Sequence, residues 1–170
     1  MASPVTFLLR RLPSRWVVGL ATLGPLGQRM PAPGTWGALA GTLYFTALFT
    51  RLPWWEVLGV TALVSLVAVA VCGEAELRLG RSDPGEVILD EFVVMPLCFL
   101  GWQGLVRFWP PWAVLAAGFG LFRFFDIVKP LGIKRTQELP GGWGVVVDDV
   151  VAALAACAAL HLAVHFWLMR

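Results

Sequence analysis

Residues 150–169 read VVAALAACAALHLAVHFWLM, twenty positions without an Asp, Glu, Lys or Arg. Crossing a hydrocarbon core about 30 Å thick takes roughly 20 apolar helical residues, so this stretch alone can span a bilayer. Reading outward toward the N-terminus, the pattern recurs. Residues 30–50 form a charge-free window of 21 and residues 57–73 one of 17, while 92–106 and 108–122 are 15 each, split only by Arg107. Over the whole chain, 58% of residues are hydrophobic and 14% charged, against about 25% charged in a soluble domain. With 170 residues, a soluble fold would bury only about 70% of its surface and could not hide so much apolar side chain. A soluble or disordered chain is excluded. The formal net charge of +2 is too small for a nucleic-acid binder, so no nucleic-acid partner is expected. Cys72, Cys98 and Cys157 lie in or beside apolar runs, with neither a disulfide framework nor zinc-ligand spacing.

The windows predict an all-α, polytopic integral membrane helical bundle, with residues 1–170 forming one membrane-embedded domain. Five segments are expected, at 34–51, 54–73, 84–105, 111–128 and 144–168. The stretch 16–28 is apolar but broken by glycine and proline, and reads as an interfacial or re-entrant piece. Arg10, Arg11 and Arg15 interrupt any signal-peptide core, so a cleaved leader is not expected. With the N-terminus inside, ten Lys and Arg fall on the inner side, against Arg51, Arg107 and Arg170 on the other. The positive-inside rule makes the richer side cytoplasmic. Ten of the eleven acids share that side, all but Glu56. Trp54, Trp55, Trp102, Trp109 and Trp112 crowd the opposite ends as an aromatic belt. Chemistry is therefore expected on the cytoplasmic face.

Three groups of residues carry that chemistry. In the first, Asp83 ahead of Pro84, with Glu86 three residues on, has the form of a helix cap and capping box. No cap explains Asp90 and Glu91, expected a turn or more into an apolar helix, where Glu86 and Asp90 are i,i+4 neighbours whose like charges stack on one face and repel. A carboxylate inside a span costs about 2.5–3.5 kcal/mol on insertion scales, and a bound divalent cation would offset it, since hard cations take clustered oxygens. The second group is Asp148-Asp149, entering the last segment after a Gly141-Gly142-Trp143-Gly144 turn whose exposed N–H groups suit an anion. The third is Arg123, Asp126 and Lys129, which place cations among the acids where a phosphate oxygen needs them. Lys129 precedes Pro130, which predicts an extended backbone and a helix end at that point. Two other patterns carry nothing. Cys72-x5-Arg78 matches a cysteine-phosphatase spacing, but Glu74 and Glu76 would repel both thiolate and phosphate. His161 and His165 lie toward the far end of the last segment, where packing explains them.

The blocks APGTWGALAG (32–41), DPGEVILDEFVVMPL (83–97), FRFFDIVKPLGIKR (122–135) and GGWGVVVDDVVAA (141–153) together resemble the phosphatidylglycerophosphatase A family. Ala38, Val94 and Gly132 depart from its usual pattern, but every acid and the Lys129-Pro130 pair are kept. The resemblance implies a bacterial inner-membrane, multi-pass, magnesium-dependent phosphatase that converts phosphatidylglycerophosphate to phosphatidylglycerol. It implies catalytic Asp90, Glu91, Asp126 and Asp149; metal-binding Glu86, Asp90, Glu91, Asp148 and Asp149; and substrate-binding Thr35, Arg123, Lys129 and Gly142. The cofactor would be Mg²⁺ and the partners a lipid phosphate and the bilayer. The rival from another class is a small cation- or proton-coupled transporter subunit, in which acids would be distributed through the bilayer.

Overall fold

The computed structural model describes residues 4–130 and 139–169, with side chains from residue 8 onward. The described residues are helical, with no strand among them. Three short helices come first: α1 (Pro4–Arg11), α2 (Ser14–Ala21) and α3 (Pro25–Arg29). The stretch 16–28 thus folds as two short helices around a left-handed turn at Leu23 and Gly24, and is no span.

Among the described residues, three helices are long and apolar enough to cross a membrane: α5 (Trp54–Leu79), α8 (Pro111–Val128) and α9 (Gly142–Leu168). The five expected segments are not matched one for one. α4 (Pro33–Leu48) has 16 residues, a rise of about 24 Å, short of a hydrocarbon core. The stretch 84–105 is not a continuous helix. It divides into α6 (Leu89–Val94), a 3₁₀ turn (Met95–Phe99) and α7 (Trp102–Leu105). Two residues explain the break. Pro96 has no N–H for an α-helical bond to Phe92, and Gly101 takes a left-handed conformation, φ +75°, that reverses the chain.

α4, α5, α8 and α9 surround this broken stretch, with α6 packed on α4, α5 and α9 and the 3₁₀ turn on α4, α8 and α9. Phe45, Phe99 and Trp102 form its aromatic heart, with ring centroids 4.6–6.2 Å apart. Close approach is bought with glycine: a Cβ on Gly118 would overlap the Phe99 ring, and one on Gly41 would lie 2.6 Å from Met95. α1 is latched to α5 by Arg78, which donates to the carbonyls of Leu9 (2.7 Å) and Leu12 (2.9 Å) and pairs with Glu74. Cys72 and Arg78 both lie inside continuous α5, which rules out a phosphate loop there. His161 Nε2 lies 2.7 Å from the Leu100 carbonyl, an interhelical packing contact.

Candidate active site

α6 brings in the first two acids. The Ile88 N–H donates to the carbonyl of Ala21 in α2 (3.0 Å), so the chain turns into helix only at Leu89. Asp90 and Glu91 therefore occupy the opening turn, not a later one. This overturns the expected capping box. Asp83 sits six residues ahead of Asp90's neighbour Leu89, in a left-handed turn at φ +46°, and its N–H donates to Glu76 Oε1 (2.7 Å). Glu86 lies outside the helix, so it does not stack on Asp90, and its carboxylate pairs with Arg81.

The C-terminal part of α8 brings Arg123 and Asp126. A single guanidinium nitrogen, Arg123 Nη1, donates to Glu91 Oε1 (2.9 Å) and Asp126 Oδ2 (2.6 Å), which locks α8 to α6. Arg123 Nε is buried with no acceptor among the described residues. α8 ends before Pro130 as expected, but Lys129 is left-handed (φ +46°) where an extended backbone was expected, and its N–H caps the helix on the Phe125 carbonyl (2.9 Å). That turn aims the ammonium at α9, where Nζ meets Asp148 Oδ2 at 2.5 Å. Burial by itself would lower the Lys129 pKa; the Asp148 hydrogen bond and the charges of Asp148, Asp149 and Asp126 outweigh it and hold the group above its ordinary value.

The second turn of α9 supplies Asp148 and Asp149, both buried. Asp149 lies within electrostatic range of Asp90, Glu91, Asp126 and Asp148, and Asp90 within range of Glu91, Asp83 and Asp148. Five carboxylates from three helices thus converge on two cations, Arg123 and Lys129. The sequence-predicted residues Asp90, Glu91, Asp126, Asp148, Asp149, Arg123 and Lys129 are brought together; Glu86 stands aside with Arg81.

Gly142 and Thr35 come out differently. A Cβ on Gly142 would overlap the Val69 carbonyl and lie 2.7 Å from the Gly73 nitrogen, so what the structure gives Gly142 is backbone contact with α5. Thr35 is half-buried at the start of α4, between two glycines that sequence reasoning missed. A Cβ on Gly34 would overlap the Glu91 carboxylate, and one on Gly37 would lie 2.7 Å from Glu91 Oε2. The bare first turn of α4 is the seat of Glu91. The signal was present: Gly34, Gly37 and Gly41 lie on one helical face, the small-residue spacing that lets membrane helices approach.

Whether this site fits a metal ion turns on its oxygens. Among the described residues, no group of three or more Asp, Glu, His or Cys side chains is arranged to hold a metal ion. Yet Asp90 Oδ1, Glu91 Oε2 and Asp148 Oδ1 are buried with no hydrogen-bond partner among the described residues. A buried, unpaired carboxylate oxygen is costly, and the surplus of five acids over two cations compounds it. Oxygen donors of this kind are those a hard divalent cation takes. An open cleft of about 220 Å³ lies beside the acids, lined by Glu76, Ser82, Asp83, Leu139, Gly141, Gly144 and Val145.

Comparison with known proteins agrees with these features. A family model described as phosphatidylglycerophosphatase A matches residues 19–164, which include every acid and base of the cluster. The chain is 37% identical over 140 residues to phosphatidylglycerophosphatase A of Haemophilus influenzae, covering 82% of each chain. It is 34% identical over 136 residues to the Escherichia coli protein of the same name, covering 79% of this chain and 76% of that one. It is also 37% identical over 127 residues to a putative phosphatidylinositol-3-phosphatase of Bacteroides thetaiotaomicron, covering 72% of this chain and 77% of that one. No solved structure matches. With a family model matched over most of its length and relatives of this similarity, the chain belongs to the phosphatidylglycerophosphatase A family.

Proposed function

We propose that this protein hydrolyses the phosphomonoester of phosphatidylglycerophosphate, giving phosphatidylglycerol and inorganic phosphate at the cytoplasmic face of a bacterial inner membrane. One observation carries the reading: buried carboxylates with orphaned oxygens meet an arginine with an orphaned N–H at one end of the bundle. The orphaned oxygens suit a cation and the orphaned N–H suits a phosphate oxygen, and a phosphomonoester bound with Mg²⁺ supplies both.

Asp90, Glu91, Asp148 and Asp149 would hold Mg²⁺. When bound, the ion would reverse the negative local field, draw in the phosphate and polarise it toward attack. The chain's own residues do the rest. Arg123 donates from Nε to a phosphate oxygen while Nη1 keeps Glu91 and Asp126 in place. Lys129 adds a second positive charge at the mouth. In the net reaction a water oxygen bonds to phosphorus, the bond from phosphorus to the glycerol oxygen breaks, and that oxygen leaves as the alcohol. A carboxylate of the cluster takes the proton that the water gives up and passes it to the leaving glycerol oxygen, with Asp126 and Asp149 as the candidates. The transporter reading is disfavoured because the acids gather at one end of the described helices instead of forming a path.

The test is phosphate release from detergent-dispersed phosphatidylglycerophosphate, with and without Mg²⁺, run beside phosphatidylinositol 3-phosphate because one relative carries that name. Mg²⁺-dependent release that favours the glycerol lipid supports the proposal. Equal rates without any divalent ion would remove the metal from it. Preference for the inositol lipid would change the substrate.

A further inference from the structure

Residues 1–29 carry four arginines and no acid, while all eleven acids lie beyond them. Two helices of this stretch, α1 and α2, have eight residues each, a rise of about 12 Å, so neither can cross a bilayer. Both pack on α5, and Arg78 in its last turn holds α1 there through the carbonyls of Leu9 and Leu12. At the end of α2 the Ala21 carbonyl accepts from the Ile88 N–H, two residues before Asp90. α1 and α2 therefore lie at the end of the bundle that carries the acid cluster.

Their outward face is apolar and basic. Leu8, Leu12, Trp16 and Leu20 recur every four residues through both helices and are 47–63% exposed, while Leu9, Val17 and Ala21 turn inward and are buried. Arg10, Arg11 and Arg15 are exposed beside this stripe, and the Arg15 guanidinium lies 5.9 Å from the centre of the Trp16 ring.

We propose that this face docks on anionic phospholipid of the leaflet at the acid-cluster end. Four large apolar side chains in line call for a nonpolar covering. α5, to which both helices are fixed, is long and apolar enough to cross a membrane, which sets the bilayer surface beside them. The arginines decide the headgroup: with no acid in the stretch, they complement a negatively charged surface, and a zwitterionic one offers them no net countercharge. A short helix with a Leu and Trp face and a basic flank is the form that lies in the interface rather than through it. Lipid gathered there stands next to the acid cluster, yet the docking requires no particular reaction at that cluster.

The test uses the full chain carrying Leu12→Cys, labelled with bimane; Cys72, Cys98 and Cys157 are buried. The protein is placed in phosphatidylcholine nanodiscs with nitroxide-bearing phosphatidylserine or nitroxide-bearing phosphatidylcholine at equal mole fraction, and quenching is compared. One arginine near an anionic surface favours a charged lipid about fivefold, so the serine lipid should quench at least that much more steeply. Added salt should narrow the difference. Arg10→Gln, Arg11→Gln and Arg15→Gln together should bring the two lipids level without abolishing quenching. Arg15→Gln alone serves as the second variant should the triple one not fold, and should narrow the difference. Bimane at position 63, where Leu63 is exposed on α5 within a charge-free stretch, should show no preference. Equal quenching by the two lipids at position 12, with the arginines intact, would overturn the recognition of charge. No quenching by either lipid would put water or an acidic protein partner over this face and overturn the proposal as a whole.

Discussion

Arg123→Lys is the perturbation that separates holding the acids from gripping the phosphate. In the wild type both ionic bonds of Arg123, to Glu91 and Asp126, leave from the same nitrogen, Nη1. An ammonium has three donors, so a lysine reaching that point can keep both bonds. What it cannot keep is the Nε–H, which is buried and unpartnered. The side chains involved are only 11–17% exposed, so solvent screens these interactions little. If Nε donates to a phosphate oxygen, the variant loses one hydrogen bond to a charged group, about 1.5–3 kcal/mol. That is roughly tenfold to over a hundredfold in kcat/KM. The assay is Mg²⁺-saturated kcat/KM on the lipid phosphate, with thermal unfolding in detergent recorded in parallel. Arg123→Gln, which also loses the bridging charge and leaves buried acids uncompensated, should lose activity and melt lower as well. Arg123→Lys with normal melting and a loss below about threefold, well short of that bond energy, would refute the reasoning and make Arg123 a clamp on Glu91 and Asp126 alone.

Gly34→Ala should force Glu91 from its seat, an overpacking cost of about 1–3 kcal/mol, and lower kcat/KM by about tenfold; Gly59→Ala, with open space around its Cβ position, is the control and should match wild type. Asp90→Asn and Asp149→Asn should each abolish phosphate release while the protein still inserts, checked by membrane fractionation and turnover at limiting Mg²⁺; near wild-type turnover would take that residue out of the metal set. Single cysteines at positions 79 and 53 should report opposite sides of the membrane, and reagent applied to spheroplasts that reaches 79 and not 53 would invert the orientation.

The charged residues of the site were legible because a bilayer makes them so. A carboxylate pair in an apolar run has no cheap explanation, so Asp90-Glu91 and Asp148-Asp149 stand out from sequence, and the structure brings them together. Arg123 and Lys129 were legible for the same reason. Conformation was less so. Pro130 marked the end of α8, but the left-handed turn at Lys129, whose ammonium meets Asp148 of α9, did not show in the local sequence. The stacking of Glu86 on Asp90 was misjudged because helical spacing was assumed back to Pro84, whereas the Ile88 N–H donates to Ala21 of a distant helix. The break in 84–105 was written in Pro96 and Gly101, yet a charge-free window is blind to backbone hydrogen bonding. The seat formed by Gly34 and Gly37 was missed because a glycine's contribution there is the absence of a side chain, visible only once Glu91 lies against it.

The interrupted stretch from Leu89 to Leu105 also constrains how the protein is made. Its turns leave peptide groups that lipid cannot satisfy, and such backbone is tolerated at membrane depth only when enclosed by protein. The enclosure includes α9, which is synthesised after it. The stretch is therefore fully enclosed only once α9 has packed against it. Asp148 and Asp149 come with that same helix, so a nascent chain gains its last enclosing wall and its last acids in one step. A chain without α9 lacks both that wall and the two acids it carries.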